Sequence, residues 1–258
     1  MTTEWDARTY KRVSGPQASW GRTVVDRIPL RGDETALDAG CGTGRVTRLL
    51  ADRLPDGRVI AVDGSRAMVD EARERLADLA PRVTVRHGDL LELELEEPVD
   101  LIVSTATFHW ILDHDALFRR LFLALKPGGR LVAQCGGAGN IAATLGAAAR
   151  VAAGAPYAEA LDRLPRGWLF AGPDETRARL GAAGFDDARA WLVDAATNLD
   201  EQGVDFLATV VLRHHLEALA PELRAPYAEE VAAVMRGPDG RVVLDYVRLN
   251  IEALRPPS

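Results

Sequence analysis

From Glu34 to Gln134 the chain alternates short apolar runs with amphipathic stretches of helical period, and this alternation leaves few folds open besides parallel strands joined by crossover helices. Ala36 to Asp38 closes a first strand, Arg45 to Leu54 reads as a helix, and Val59 to Asp63 is a second strand of almost wholly apolar character. Strands of that kind are covered on both faces. Met68, Ala72, Leu76 and Leu79 recur at helical spacing, Val83 and Val85 alternate in a third strand, and Leu101 to Val103 makes a fourth. Asp113 is placed to cap a helix that runs to Leu125, where Lys126-Pro127-Gly128-Gly129 supplies a stop and a tight turn before a fifth strand, Leu131 to Ala133.

Beyond Gly136 the pattern changes. An alanine-rich stretch, Ile141 to Ala155, leads into an irregular segment, Pro156 to Pro173, carrying Trp168 and Phe170, and the two read as an insertion over the sheet edge. A helix from Pro173 to Leu180, stopped by Gly184, and a sixth strand, Ala188 to Val193, return to the earlier rhythm. Helical stretches at about 201–218 and 221–235 precede an apolar run, Val242 to Ile251, that reads as one last strand. The expectation is a single α/β domain over 1–258, its core at about 31–136, 173–198 and 242–255, with a helical cap from 1–30, 137–172 and 199–241.

With 258 residues, 47% of them hydrophobic, the chain can build one large core with additions. A net charge of -7 argues against nucleic acid as a partner. Cys41 and Cys135 resemble neither a disulfide framework nor a metal knuckle, and the histidines lack metal spacing, so no metal is expected. The polar, acidic start and the absence of any run near the roughly 20 apolar residues of a membrane span point to the cytoplasm.

Between the first strand and first helix, Asp38-Ala39-Gly40-Cys41-Gly42-Thr43-Gly44 puts glycines where backbone can approach a ligand. The helix that follows offers unpaired N–H groups at its start. Dinucleotide enzymes use a related turn, but here the third glycine comes one residue early for G-x-G-x-x-G. Asp63 ends the second strand, 63 − 44 = 19 residues on, where a carboxylate can accept from both hydroxyls of a ribose. The third strand runs into His87-Gly88-Asp89-Leu90, with Asp89 placed to accept from an exocyclic amine such as that of adenine. Taken together, these features specify an adenosyl ligand without a pyrophosphate.

Leu37 to Gly44, Val59 to Asp63, His87 to Leu90, Asp100 to Trp110 and Leu125 to Val132 resemble the successive motifs of the class I S-adenosylmethionine-dependent methyltransferases. The resemblance implies a Rossmann-like sheet of seven strands, mostly parallel with the last antiparallel, helices on both faces, and S-adenosylmethionine as cofactor. By motif position, Gly40, Gly42 and Gly44 face its methionine part, Asp63 and Gly64 the ribose, and Asp89 with Leu90 the adenine. Met68 is placed either against the adenine face or in the core.

Ser104 to Trp110 is similar to the segment that small-molecule enzymes of the trans-aconitate 2-methyltransferase type carry after strand four, bordering cofactor and substrate, although Thr105 stands where asparagine is common. Tyr10 and Gln17, with Trp5 and Trp20, are candidates for a lid over the cofactor.

Methyl transfer from a sulfonium needs alignment and a dry pocket more than a dedicated catalytic group. A carboxylate acceptor would call for a cationic clamp, drawn from Arg150, Arg163, Arg166, Arg213, His214, His215 and Arg241. A hydroxyl, amine or carbon acceptor would call for a base, and His109 is then the candidate, although it also fits as a donor in the pocket wall. Trp110, Trp168, Phe170 and Trp191 are the candidate aromatic walls. The leading expectation is O-methylation of a small carboxylic acid. The alternatives are O-, N- or C-methylation of a biosynthetic intermediate, a nicotinamide-dependent oxidoreductase, or a module that binds the cofactor without turnover. The oligomeric state is left open.

Overall fold

The computed structural model describes residues 15–162, 164, 167–199, 203–238 and 240–257, with side chains described from residue 20 onward. Seven strands form the main sheet: β1 (Thr35–Ala39), β2 (Arg58–Asp63), β3 (Val83–His87), β4 (Val99–Thr105), β5 (Leu125–Gly136), β6 (Asp186–Asp194) and, after two short strands, β9 (Val247–Leu254), in the order β3-β2-β1-β4-β5-β9-β6. The pairs β1/β2, β1/β4, β2/β3 and β4/β5 are all parallel. The last strand runs the other way, since Arg255 bonds Gly128 and Gly129 while Asn250 bonds Gln134 further up β5. This is the expected Rossmann-like, mostly parallel arrangement.

Alternating residues feed two cores. Leu37, Ile102, Leu131 and Ala133 pack with Leu117, Phe118 and Leu121 of the helix α4 (His114–Ala124). On the opposite face Ala36, Leu101, Val103 and Val132 pack with Val24 and Val25 of α1 (Gly15–Asp26) and with Leu50 of α2 (Arg45–Arg53). Local chemistry sets the helix ends. Ser65 caps α3 (Arg66–Arg75) by accepting from the Met68 amide, and Asp113 caps α4 by accepting from Ala116. Gly184, in the left-handed region at φ 104°, closes the helix α6 (Pro173–Ala183).

The chain divides into two compact units, the first comprising 1–138, 169–193 and 249–258, the second 139–168 and 194–248. The first unit therefore takes in α1, which the sequence reading had assigned to the cap; its buried valines belong to the sheet's own core. The second unit holds α5 (Ala142–Ala152), α8 (Pro221–Met235) after the short helix α7 (Arg213–Ala218), and the antiparallel pair β7 (Thr197–Leu199) and β8 (Val242–Leu244).

Three sequence expectations are corrected. The run Val242 to Ile251 is two strands, because Asp245 leaves it to cap α5, accepting from the amides of Ala143 and Thr144. Lys126 to Gly129 makes its turn as an irregularity inside β5 and not ahead of it: the strand begins at Leu125, the register with β4 jumps from Val99–Leu125 to Leu101–Arg130, and Gly128, at φ 78°, donates its amide to the carbonyl of Arg255. The stretch 201–218 is broken by a π-turn at Leu207–Val211, whose closing bond runs from the Leu212 amide to Leu207.

Candidate functional site

In a sheet of this order the connections depart in opposite directions from β1 and β4, which opens a crevice at their carboxyl ends where ligands bind. The glycine loop lies there. Gly40, Gly42 and Gly44 all have positive φ (85°, 52° and 77°), which a side chain would strain. They do so for different reasons. A Cβ on Gly40 would lie 2.1 Å from Thr107 Oγ1 and one on Gly44 2.7 Å from Leu76 Cδ1, whereas one on Gly42 would meet nothing within 4 Å among the described residues. Gly40 and Gly44 serve packing, and Gly42 borders open space.

Asp63 holds this crevice together. Its Oδ2 accepts from the Gly42 amide at 2.8 Å and its Oδ1 from the Ser65 amide at 2.9 Å. Both oxygens thus meet backbone amides, and each carboxylate oxygen has two lone pairs with which to accept. The neighbouring Gly64 carbonyl engages His87 Nε2 at 3.0 Å. Asp89 spends one oxygen on the Leu91 amide, which caps the turn Leu90–Glu92, and Leu90 is buried. The side chain of Met68 is also buried.

Asp38 is a functional candidate that the sequence reading passed over. It is fully buried; Thr47 Oγ1 donates to its Oδ2 at 2.7 Å, and its Oδ1 has no partner. Burial, with the charge of Asp63 adding to it, outweighs the Thr47 hydrogen bond and pushes its carboxyl up to about 7. The available signal was a lone charge inside the apolar strand Thr35–Ala39.

The segment after β4 closes the other side. Ser104 turns its hydroxyl inward, donating to the Ala39 carbonyl at 2.6 Å. Ala106 has φ 56°, and its amide donates to the Gln134 carbonyl. Thr107 Oγ1 lies 3.1 Å from the carbonyls of both Gly40 and Thr105, tying this segment to the glycine loop. His109 is buried, its ring 5.3 Å from Trp110 and stacked on Phe170 at 5.9 Å. The Gly136 amide donates to His109 Nδ1 at 3.3 Å. A ring that accepts at Nδ1 carries the hydrogen of its neutral form on Nε2, and at that atom it is a donor.

Gly40, Gly42, Gly44, Asp63, Gly64, Met68, Asp89, Leu90, Ser104, His109 and Trp110 all lie in the first unit. Arg150, Trp168 and Arg213 lie in the second unit. There Arg150 is exposed, Trp168 meets His214 edge-on at 5.7 Å, and Arg213 Nε donates to Glu217 at 2.7 Å. Tyr10, Trp5, Arg163 and Arg166 lie outside the described residues, as does the side chain of Gln17. Among the described residues no group of three or more His, Cys, Asp or Glu is placed to hold a metal ion, and no helix is long and apolar enough to cross a membrane.

A family model described as a methyltransferase domain matches residues 36–129. A trans-aconitate 2-methyltransferase from Methylobacterium radiotolerans is 31% identical, over 97% of this chain and 98% of its own. The chain belongs to the S-adenosylmethionine-dependent methyltransferases. A second trans-aconitate 2-methyltransferase, from Azoarcus sp., is 31% identical over 97% of this chain and 99% of its own. The fold also matches phosphoethanolamine N-methyltransferase 2 from Haemonchus contortus, solved with S-adenosyl-L-methionine, at TM-score 0.62 and 20% identity, covering 98% of this chain and 57% of that one. Membership sets aside the oxidoreductase reading.

The methyltransferase's cofactor is S-adenosylmethionine. Two features of the site suit it: the partnerless Asp38 oxygen in the strand that leads to the loop fits a cationic donor, and the open space at Gly42 leaves room for a ligand against backbone.

Proposed function

We propose that this methyltransferase O-methylates a carboxylate of a small organic acid, with trans-aconitate as the model acceptor. The observation that carries the reading is the bond from the Gly136 amide to His109 Nδ1. An acceptor hydroxyl must lose a proton during transfer and needs a base beside it. A carboxylate is already anionic and needs a donor that steadies one oxygen while the other attacks. His109, protonated on Nε2, is such a donor. The naming of two full-length relatives as trans-aconitate 2-methyltransferases supports the same acceptor class.

When bound, S-adenosylmethionine supplies an electrophilic methyl group on a sulfonium. The protein's part is alignment. In this reading Gly40, Gly42 and Gly44 give the methionine part a backbone surface, Asp63 and Gly64 take the ribose, Asp89 and Leu90 the adenine edge, and Met68 packs beside the ring. Ser104 and Thr107 fix the β4 segment against the glycine loop, so cofactor and acceptor sites keep their spacing. Trp110 and Phe170 flank His109 and keep water from the reacting oxygen. The sequence reading adds Tyr10 and Gln17 as candidates for the cofactor and Arg150, Trp168 and Arg213 as candidates for the acceptor. A cytoplasmic enzyme with a small metabolite as its partner fits the net charge of -7.

Incubating the protein with S-adenosylmethionine and a panel of small carboxylic acids, phenols and amines tests the proposal. Release of S-adenosylhomocysteine with trans-aconitate or another acid, matched by an alkali-labile methyl ester, is the expected result. Turnover of a phenol or amine with none of any acid would overturn it.

A further inference from the structure

A polar cluster sits on the α1 face of the sheet, in the first unit, where Trp191 alone was a candidate from the sequence. Leu131, Ala133, Cys135, Ala190, Leu249 and Ile251 all face the α4 core, so the alternate positions Gln134, Trp191 and Asn250 of three neighbouring strands turn to the opposite face. Such a face is normally apolar. Here Asn250, 1% exposed, accepts at Oδ1 from both Gln134 Nε2 (2.9 Å) and Arg27 Nη1 (2.8 Å). Arg27 follows directly on α1, and its guanidinium lies over the Trp191 ring, 5.3 Å from the centroid.

The other two guanidinium positions, Nε and Nη2, are buried and have no hydrogen-bond partner. They form one edge of the planar group, with parallel N–H bonds spaced for the two oxygens of a carboxylate. An arginine cannot discharge by losing a proton, so a dry, unserved edge is costly unless an anion completes it. Asn250 and the Trp191 face fix the plane of the fork in advance. Its position suits the acceptor: Gln134, two bonds from Arg27 through Asn250, bonds the Ala106 amide through its own carbonyl, and Gly136, two residues on, holds His109.

We propose that Arg27 is a carboxylate-binding subsite, its Nε and Nη2 clamping one carboxylate of a di- or tricarboxylic acceptor while another is presented for methylation. This rests on the acid reading of the acceptor. Arg27 as a residue is half-buried.

The test is calorimetry of trans-aconitate, and separately of malonate, against the protein saturated with S-adenosylhomocysteine, for wild type, Arg27→Gln and Arg27→Lys. Both variants are expected to bind the acids at least tenfold more weakly, with S-adenosylhomocysteine affinity and melting temperature kept. Lysine preserves the charge but not the fork, so it remains informative if glutamine costs the fold. Unchanged acid binding in either folded variant overturns the proposal. So does parallel loss of acid binding, S-adenosylhomocysteine binding and melting temperature, which would make Arg27 a strap between α1 and β9. If wild type takes up malonate but not trans-aconitate, trans-aconitate fails as the model acceptor while the subsite stands. Uptake of neither overturns the subsite.

Discussion

The carboxyl ends of β1 and β2 and those of β4 and β5 border the same crevice but are built differently. Around β1 and β2 the surface is mostly backbone, with three glycines at positive φ and one carboxylate, Asp63, that gathers the amides of Gly42 and Ser65. Around β4 and β5 it is mostly side chain: Thr107, the ring of His109 between Trp110 and Phe170, and Gln134 leading through Asn250 to Arg27. A backbone surface suits a ligand that never changes. Side chains, which can be exchanged without disturbing the strands, suit the ligand that distinguishes one methyltransferase from another.

This contrast can be tested by substitution on the backbone side. Asp63→Ala should have the largest effect, since it strips the acceptor from two backbone amides as well as from the ribose. About 2–4 kcal/mol of stability should be lost in a denaturant titration, and S-adenosylhomocysteine affinity should fall on the order of a hundredfold by calorimetry. Gly40→Ala comes next: its Cβ would meet Thr107 at 2.1 Å from a φ of 85°. Chemical unfolding should show a loss on the order of 3 kcal/mol, because the two sides of the crevice are forced apart.

Asp38 gives a pH signature. Its folded carboxyl, at about 7, lies above the ordinary 3.8, so the native state holds the proton more tightly than the unfolded chain. Its contribution to stability is therefore complete below about 4 and is lost as the pH climbs to about 7. Asp38→Asn, which can still accept from Thr47, should flatten that part of the melting-temperature profile of the ligand-free protein. An unaltered profile would place the titrating group elsewhere.

The same contrast explains what could be read from the sequence. The glycine loop, Asp63 and strands one to five depend on neighbours in the chain, so spacing and periodicity expose them. Arg27 and Asn250 are 223 positions apart, and neither stands out in its own stretch. Asp245 breaks the apolar run Val242 to Ile251 because it caps a helix about a hundred residues earlier. Lys126 to Gly129 reads locally as a turn, yet the pairing of Gly128 and Gly129 with Arg255 keeps it in the strand. Ser104 stands out in the sequence as a site candidate, but the inward turn of its hydroxyl to Ala39 depends on a partner strand that a local pattern does not show.

Gly42→Ala tests the central claim most directly, because among the described residues the new methyl would meet nothing within 4 Å and its φ of 52° lies where alanine costs only about 1–2 kcal/mol. Calorimetry with S-adenosylhomocysteine on this variant, with melting temperature read on the same sample, should show a folded protein whose affinity has dropped at least tenfold. A folded Gly42→Ala protein that binds as tightly as wild type would mean that the cofactor does not lie against this loop.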